Sequence, residues 1–204
     1  VDDYYMAPAR RRRTQRDGRS ALDWAPTCSG DIMVWVLIGL GSNRGDSAAI
    51  VSEAMDRLQA LAVGEIRRSA LWRTSPVDCP PGSGDFINAA AAFEPVTGLT
   101  PEALLAALKA LEREYGRAAA TVRNAPRELD LDLLLFGDET RDDADFVLPH
   151  PRAVNRRFVL APAAEVLPDA IWPGTGRRIE TLLAALDSEE VVARLDPAAE
   201  RDGA

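Results

Sequence analysis

Asp130 and Asp132 stand two residues apart in RELDLDLLLF (127–136). In a β-strand, side chains alternate between the two faces, so acids at this spacing share one face about 7 Å apart. Leu129, Leu131, Leu133 and Leu135 mark the opposite face, while the acid face itself turns apolar at Leu134 and Phe136. A merely solvated face would stay polar to its end. Both faces are therefore expected to enter a core halfway along, leaving two carboxylates side by side at its mouth. Carboxylates so placed can share a hard cation. Mg2+ takes one or two of them and completes its octahedron with water and phosphate oxygens.

The neighbours of this pair suit phosphate. Arg117, Arg123 and Arg127 lie in the loop feeding the strand, and His150, Arg152, Arg156 and Arg157 follow it in LPHPRAVNRRF. Guanidinium forks bind phosphate oxygens bidentately, and arginine beside metal builds a polyphosphate site inside an otherwise acidic protein. The chain is acidic, with a net charge of −8. That charge argues against a nucleic-acid-binding module, whose footprint is basic. A P-loop is excluded because no GxxxxGK[ST] occurs, and the single lysine, Lys109, falls in a helical stretch. GLGSNRG (39–45) has glycine spacing unlike the dinucleotide fingerprint and reads as a tight turn that lets backbone come close to a ligand or loop.

A second group of residues is apolar. Phe86 and Asn88 share one strand face in GDFINAA, and Phe158 follows the arginine cluster. Two rings and an amide can hold a flat heterocycle, the rings on its faces and the amide on its edge.

The elements that must position these residues follow from periodicity. MVWVLIGL (33–40) is a continuous apolar run and predicts a central strand. Asp46 caps a helix with Ile50, Ala54, Leu58 and Leu61 inward, closed by Gly64. Strands are expected at 65–76 and 86–95. Thr100 caps and Pro101 begins a second helix with Leu105, Leu108 and Leu111 inward, stopping at Gly116. The order β-α-β-β-α-β predicts an α+β, ferredoxin-like fold: an antiparallel sheet with helices on one face. A small helical extension fills about 150–186. Residues 1–32, with six arginines and five acids but no periodicity, read as a disordered extension, residues 33–186 as the working domain, and 187–204 as a frayed acidic tail. Cys28 and Cys79 supply neither a disulfide framework nor metal-ligand spacing, and no apolar run reaches membrane-spanning length. Both fit a cytoplasmic protein.

GLGSNRGD, RTSP…GDFINAA, LEREYGR, RNAPRELDLDLLLFGDE and LPHPRAVNRRFVLAPAAEV together resemble the 6-hydroxymethyl-7,8-dihydropterin pyrophosphokinases of folate biosynthesis, in order from about 34 to 185. The resemblance implies a ferredoxin-like, monomeric enzyme that moves pyrophosphate from ATP to the pterin hydroxymethyl group. It implies that Asp130 and Asp132 bind two Mg2+. Arg117, Arg127, His150 and Arg156 would hold the ATP phosphates, with Arg123 beside them and Glu112 of the second helix also on the ATP side. Phe86 and Phe158 would sandwich the pterin, Asn88 would bond its edge, and Thr74, Ser75, Pro76 and Val77 would line its pocket. The chain departs from the family at Asn124, where RWGPR often occurs, and at Ala119, Asp145 and Val147. Taken without the resemblance, the residues leave two other readings open: another Mg2+-dependent phospho- or nucleotidyltransferase, and a non-catalytic ferredoxin-like binding module.

Overall fold

A computed structural model describes residues 34–76, 84–116, 127–144 and 146–195. Its elements, in chain order, are β1 (Val36–Ser42), α1 (Ser47–Leu58), β2 (Ala62–Arg68), β3 (Trp72–Thr74), β4 (Phe86–Pro95), α2 (Pro101–Glu114) and β5 (Asp130–Phe136). There follow a hairpin of β6 (Arg141–Asp142) and β7 (Val147–Leu148), then α3 (Arg157–Val166). A second hairpin, β8 (Ile171–Trp172) and β9 (Arg177–Arg178), leads to α4 (Ile179–Ala185) and β10 (Val192–Arg194).

The sheet runs β10-β3-β4-β1-β5, with β2 also paired to β4, and every pairing is antiparallel. One face carries Val36, Ile38, Leu40, Ala89, Ala91, Phe93, Leu131 and Leu133, and α1 and α2 cover it with Val51, Leu58, Leu104 and Leu108. The other face carries Leu37, Ala90, Ala92 and Leu134, covered by Leu160, Ala163 and Val166 of α3 and by Leu182 of α4. The alternation of two in β1 and β4 makes this two-sided core possible, because each strand feeds both layers. The expected α+β, ferredoxin-like arrangement is present, and the C-terminal extension adds a helical layer on the second face.

The helix starts are those the capping residues dictate. Asp46 Oδ1 accepts from the Ala49 N–H at 3.1 Å, and Thr100 Oγ1 accepts from the Ala103 N–H at 3.2 Å ahead of Pro101. Other expectations need correction. Gly64, with φ +71°, lies inside β2 rather than closing α1. The strand expected over 65–76 is broken into β2 and β3, since Ser69 and Ala70 turn aside. Ser69 N–H still donates to Ala90 O at 2.9 Å, while Ala70 N–H goes to Glu165 Oε2 at 2.7 Å. Leu104, not Leu105, is the first buried leucine of α2. A register shift between Leu37 and Ile38 puts a bulge in β5, so Leu135 joins Leu134 on the α3 face and Phe136 crosses to the other. Strict alternation fails there because a bulge sets two residues against one.

The stretch expected to fray, 187–204, contributes β10, which pairs with β3 as the sheet's outer strand, and Leu195 N–H donates to Leu71 O at 2.8 Å. Residues 1–32 and 196–204 lie outside the described residues.

Candidate active site

Two missing side chains make the cleft. On the α3 face, β1 presents Leu37, then Gly39 and Gly41. Gly41 is paired with Asn88 on one side and Asp130 on the other, and Gly39 with Ala90 and Asp132. Directly paired residues share a face, so the rows Asn88–Gly41–Asp130 and Ala90–Gly39–Asp132 have backbone alone at their centre. Above this floor lies a solvent-open cleft of about 780 Å³. Thr74, Ser75, Phe86 and Asn88 line one end, Arg127, Asp130 and Asp132 the other, with Arg156 and Phe158 at the start of α3. A Cβ at Gly41 would stand 2.9 Å from Asn88 Oδ1, so glycine is what allows the amide its place. GLGSNRG is therefore strand first and turn second: the close backbone approach expected of it is real, but Gly39 and Gly41 lie inside β1.

At the aromatic end, Asn88 Nδ2 donates to Thr74 Oγ1 at 2.7 Å, which fixes the amide with its oxygen over Gly41. Both side chains are buried. Phe86 and Phe158 border the same space, and the Arg156 guanidinium carbon sits 5.3 Å from the Phe158 ring centre, a cation–π contact that couples the two ends.

At the acidic end, Arg127 Nη1 pairs with Asp130 Oδ2 at 2.8 Å. Its backbone is held by Asn43: Arg127 N–H donates to Asn43 Oδ1 at 2.9 Å, and Asn43 N–H donates to Arg127 O at 3.2 Å. Asn43 belongs to the GLGSNRG stretch, whose turn thus docks the entrance of β5. Burial pushes the Asp132 carboxyl up from its ordinary value, and the neighbouring Asp130 adds to this, against the opposing charges of His150, Lys109 and Arg127. Burial first, then Arg152 and Arg156, hold the His150 imidazole below its ordinary value, although Asp132 pulls the other way. His150 is anchored by its backbone N–H to Leu134 O at 3.3 Å. Two neighbouring carboxylates lining a cleft that can admit phosphate oxygens are a donor set that fits Mg2+.

Behind the acids is a contact that sequence reasoning missed. β5 is the edge of the sheet, so the backbone groups of Leu131 that point outward have no strand to meet. The i,i+3 pair on α2 meets them instead. Leu131 N–H donates to Glu112 Oε1 at 2.8 Å, and Lys109 Nζ donates both to Leu131 O at 3.1 Å and to Glu112 Oε1 at 2.8 Å. Leu131 is the residue between the two aspartates, so this clamp sets their backbone. Glu112, expected on the ATP side, is instead 1% exposed under β5 and lies outside the cleft lining. An i,i+3 Lys–Glu spacing was visible in the sequence; its target on another element was not. Lys109→Met should destabilise the fold by ~2–3 kcal/mol, as expected when a buried carboxylate loses a charged hydrogen-bond partner. Urea denaturation checks this, and an unchanged midpoint would show that the clamp adds nothing.

Thr74, Ser75, Phe86, Asn88, Arg127, Asp130, Asp132, Arg156 and Phe158 are thus brought together around one cleft. Pro76 and His150 lie outside its lining, and Arg117, Arg123 and Val77 lie outside the described residues.

Fold and cleft define a ferredoxin-like α+β protein whose cleft carries two carboxylates and arginine at one end and two aromatic rings with an amide at the other. The chain belongs to the 7,8-dihydro-6-hydroxymethylpterin-pyrophosphokinase (HPPK) family, whose model matches residues 37–168. It is 34% identical over 172 residues to the 2-amino-4-hydroxy-6-hydroxymethyldihydropteridine pyrophosphokinase of Synechocystis, covering 84% of each chain. With the enzyme of the same name from Methylorubrum extorquens it shares 37% identity over 169 residues, covering 81% of this chain and 96% of that one. Among solved structures, its fold is similar to that of Plasmodium falciparum HPPK-DHPS, with TM-score 0.58 at 14% identity, over 74% of this chain and 44% of that one.

Proposed function

We propose that this protein transfers pyrophosphate from ATP to 6-hydroxymethyl-7,8-dihydropterin, yielding the pterin diphosphate and AMP in folate biosynthesis. The observation that carries the reading is one cleft with the Asp130–Asp132 pair and Arg127 at one end and Phe86, Asn88 and Phe158 at the other. Family membership, along nearly the full length of bacterial relatives that bear this enzyme's name, selects the reaction.

The pterin lies between Phe86 and Phe158 with its edge on Asn88, whose amide Thr74 holds in one orientation. Its hydroxymethyl group then points along the glycine floor toward the acids. The hydroxymethyl oxygen forms a bond to the β-phosphorus, the bond from that phosphorus to the α–β bridging oxygen breaks, and AMP leaves with the electron pair. The hydroxyl proton passes to solvent. Mg2+ held by Asp130 and Asp132 would neutralise charge on the transferring phosphates. Arg127 and Arg156 supply further cationic contacts, and the family resemblance adds Arg117, Arg123 and His150 to the phosphate-binding set. No dedicated base is needed, because positioning and charge stabilisation dominate phosphoryl transfer. No helix among the described residues is long and apolar enough to cross a membrane.

The test is chromatography of the products formed from ATP, Mg2+ and the hydroxymethyldihydropterin. Stoichiometric AMP with a pterin diphosphate supports the reading, whereas ADP with a pterin monophosphate, or no turnover, defeats it.

A further inference from the structure

The two walls of the aromatic end come from elements far apart in the chain, and the segment after α4 touches both. On one wall, Ser75 N–H donates to Val191 O at 3.2 Å, and β10 continues from there along β3, from Thr74 to Trp72. On the other, Phe158 N–H donates to Glu190 Oε2 at 3.2 Å. Phe158 lies in the first turn of α3, where backbone N–H groups have no partner inside the helix. The residue at the cap position is Arg156, whose side chain makes no capping bond. Glu190 supplies the acceptor from 32 residues downstream, and it brings a negative charge to the positive end of the helix dipole. Glu190 is itself held by its N–H to Ser188 Oγ at 3.2 Å, and the preceding Leu186 O accepts from Arg157 Nη2 at 2.9 Å.

We infer that Glu190 is a positioning residue for the aromatic end of the cleft: by capping α3 at Phe158 while its neighbour Val191 holds Ser75, it sets the separation of the two walls. Cap loss frees the first turn of α3, which carries the Phe158 ring. This inference rests on the pterin reading of the cleft. Arg156 sits at the cap position and shares in the loosening, but Asp130, Asp132 and Arg127 stand at or just ahead of β5, away from α3, so the larger effect falls on the aromatic ligand.

The experiment compares the full chain with Glu190→Ala and Glu190→Gln. Hydroxymethyldihydropterin and AMPCPP, the ATP analogue whose α–β bridge is a methylene and cannot be cleaved, with Mg2+ are titrated separately by calorimetry, and amide hydrogen exchange is read at residues 156–160. The expected result is weakening of pterin binding by roughly threefold to tenfold in Glu190→Ala, within the range a lost helix cap produces. Exchange at the first turn of α3 rises, AMPCPP affinity stays within about twofold, and Glu190→Gln, which keeps an oxygen acceptor, recovers most of the pterin affinity. Wild-type pterin affinity in Glu190→Ala overturns the inference, as does equal weakening of both ligands. Unchanged exchange at residues 156–160 overturns it too, and that readout needs no ligand. A wild-type chain that binds no pterin, with exchange still raised in Glu190→Ala, overturns the pterin reading alone and leaves the cap standing.

Discussion

Asp130→Asn and Asp132→Asn each lower turnover by about three orders of magnitude or more while leaving the fold intact. The acids would hold the cation that neutralises charge on the transferring group. Such stabilisation is worth several kcal/mol, and each ~1.4 kcal/mol is tenfold in rate. Stability moves the other way for Asp132. Its folded carboxyl lies above its ordinary value because burial and Asp130 both oppose ionisation. A carboxyl raised on folding favours the native state only in its protonated form. At neutral pH the raised carboxyl therefore costs stability, and that cost disappears as pH falls below the unfolded value. Asp132→Asn should melt at or above the parent temperature at pH 7 without metal, with the gap closing as pH approaches 4. Steady-state assays at saturating Mg2+ and thermal melts across pH check both halves. Near-normal turnover in either variant sinks the metal assignment, and a clear fall in the Asp132→Asn melting temperature at pH 7 sinks the electrostatic account.

Phe158→Ala weakens pterin binding about 5- to 150-fold, the equivalent of the 1–3 kcal/mol that one stacked base loses without its aromatic partner. The ring borders the cleft from the first turn of α3, opposite the sheet residues Phe86 and Asn88. Its neighbour Arg156 keeps its charge in the variant, so ATP affinity should change far less. Separate titrations with pterin and with an ATP analogue distinguish the two. Equal weakening of both would make Phe158 a packing residue of α3 and not a stacking platform.

Much of this protein was legible one strand at a time. Alternation over 127–136 placed Asp130 and Asp132 together on one face, and the structure sets both in the cleft lining. Asp46 and Thr100 announced their helices because capping is a local reaction between a side chain and N–H groups three residues on. Phe86 and Asn88 shared a face for the same reason, and the full motif set named the family. Such signals survive in a single sequence because their partners lie within a few residues.

What the chain alone did not show was every arrangement whose partner is distant. The clamp of Lys109 and Glu112 exists because β5 became an edge strand, and edge status is a property of strand order. β10 spans Val192–Arg194, too short for any period to register, and it forms where β3 offers an unpaired edge. Gly39 and Gly41 read as a turn because glycine breaks strands locally. Their meaning came from pairing, which set Asn88 and Asp130 on either side of the same gap. Sequence by itself determined the faces and the reactive groups each face carries. Tertiary structure decided which faces meet, because hydrogen bonds across the sheet and between helix ends and tail join residues that no local period connects.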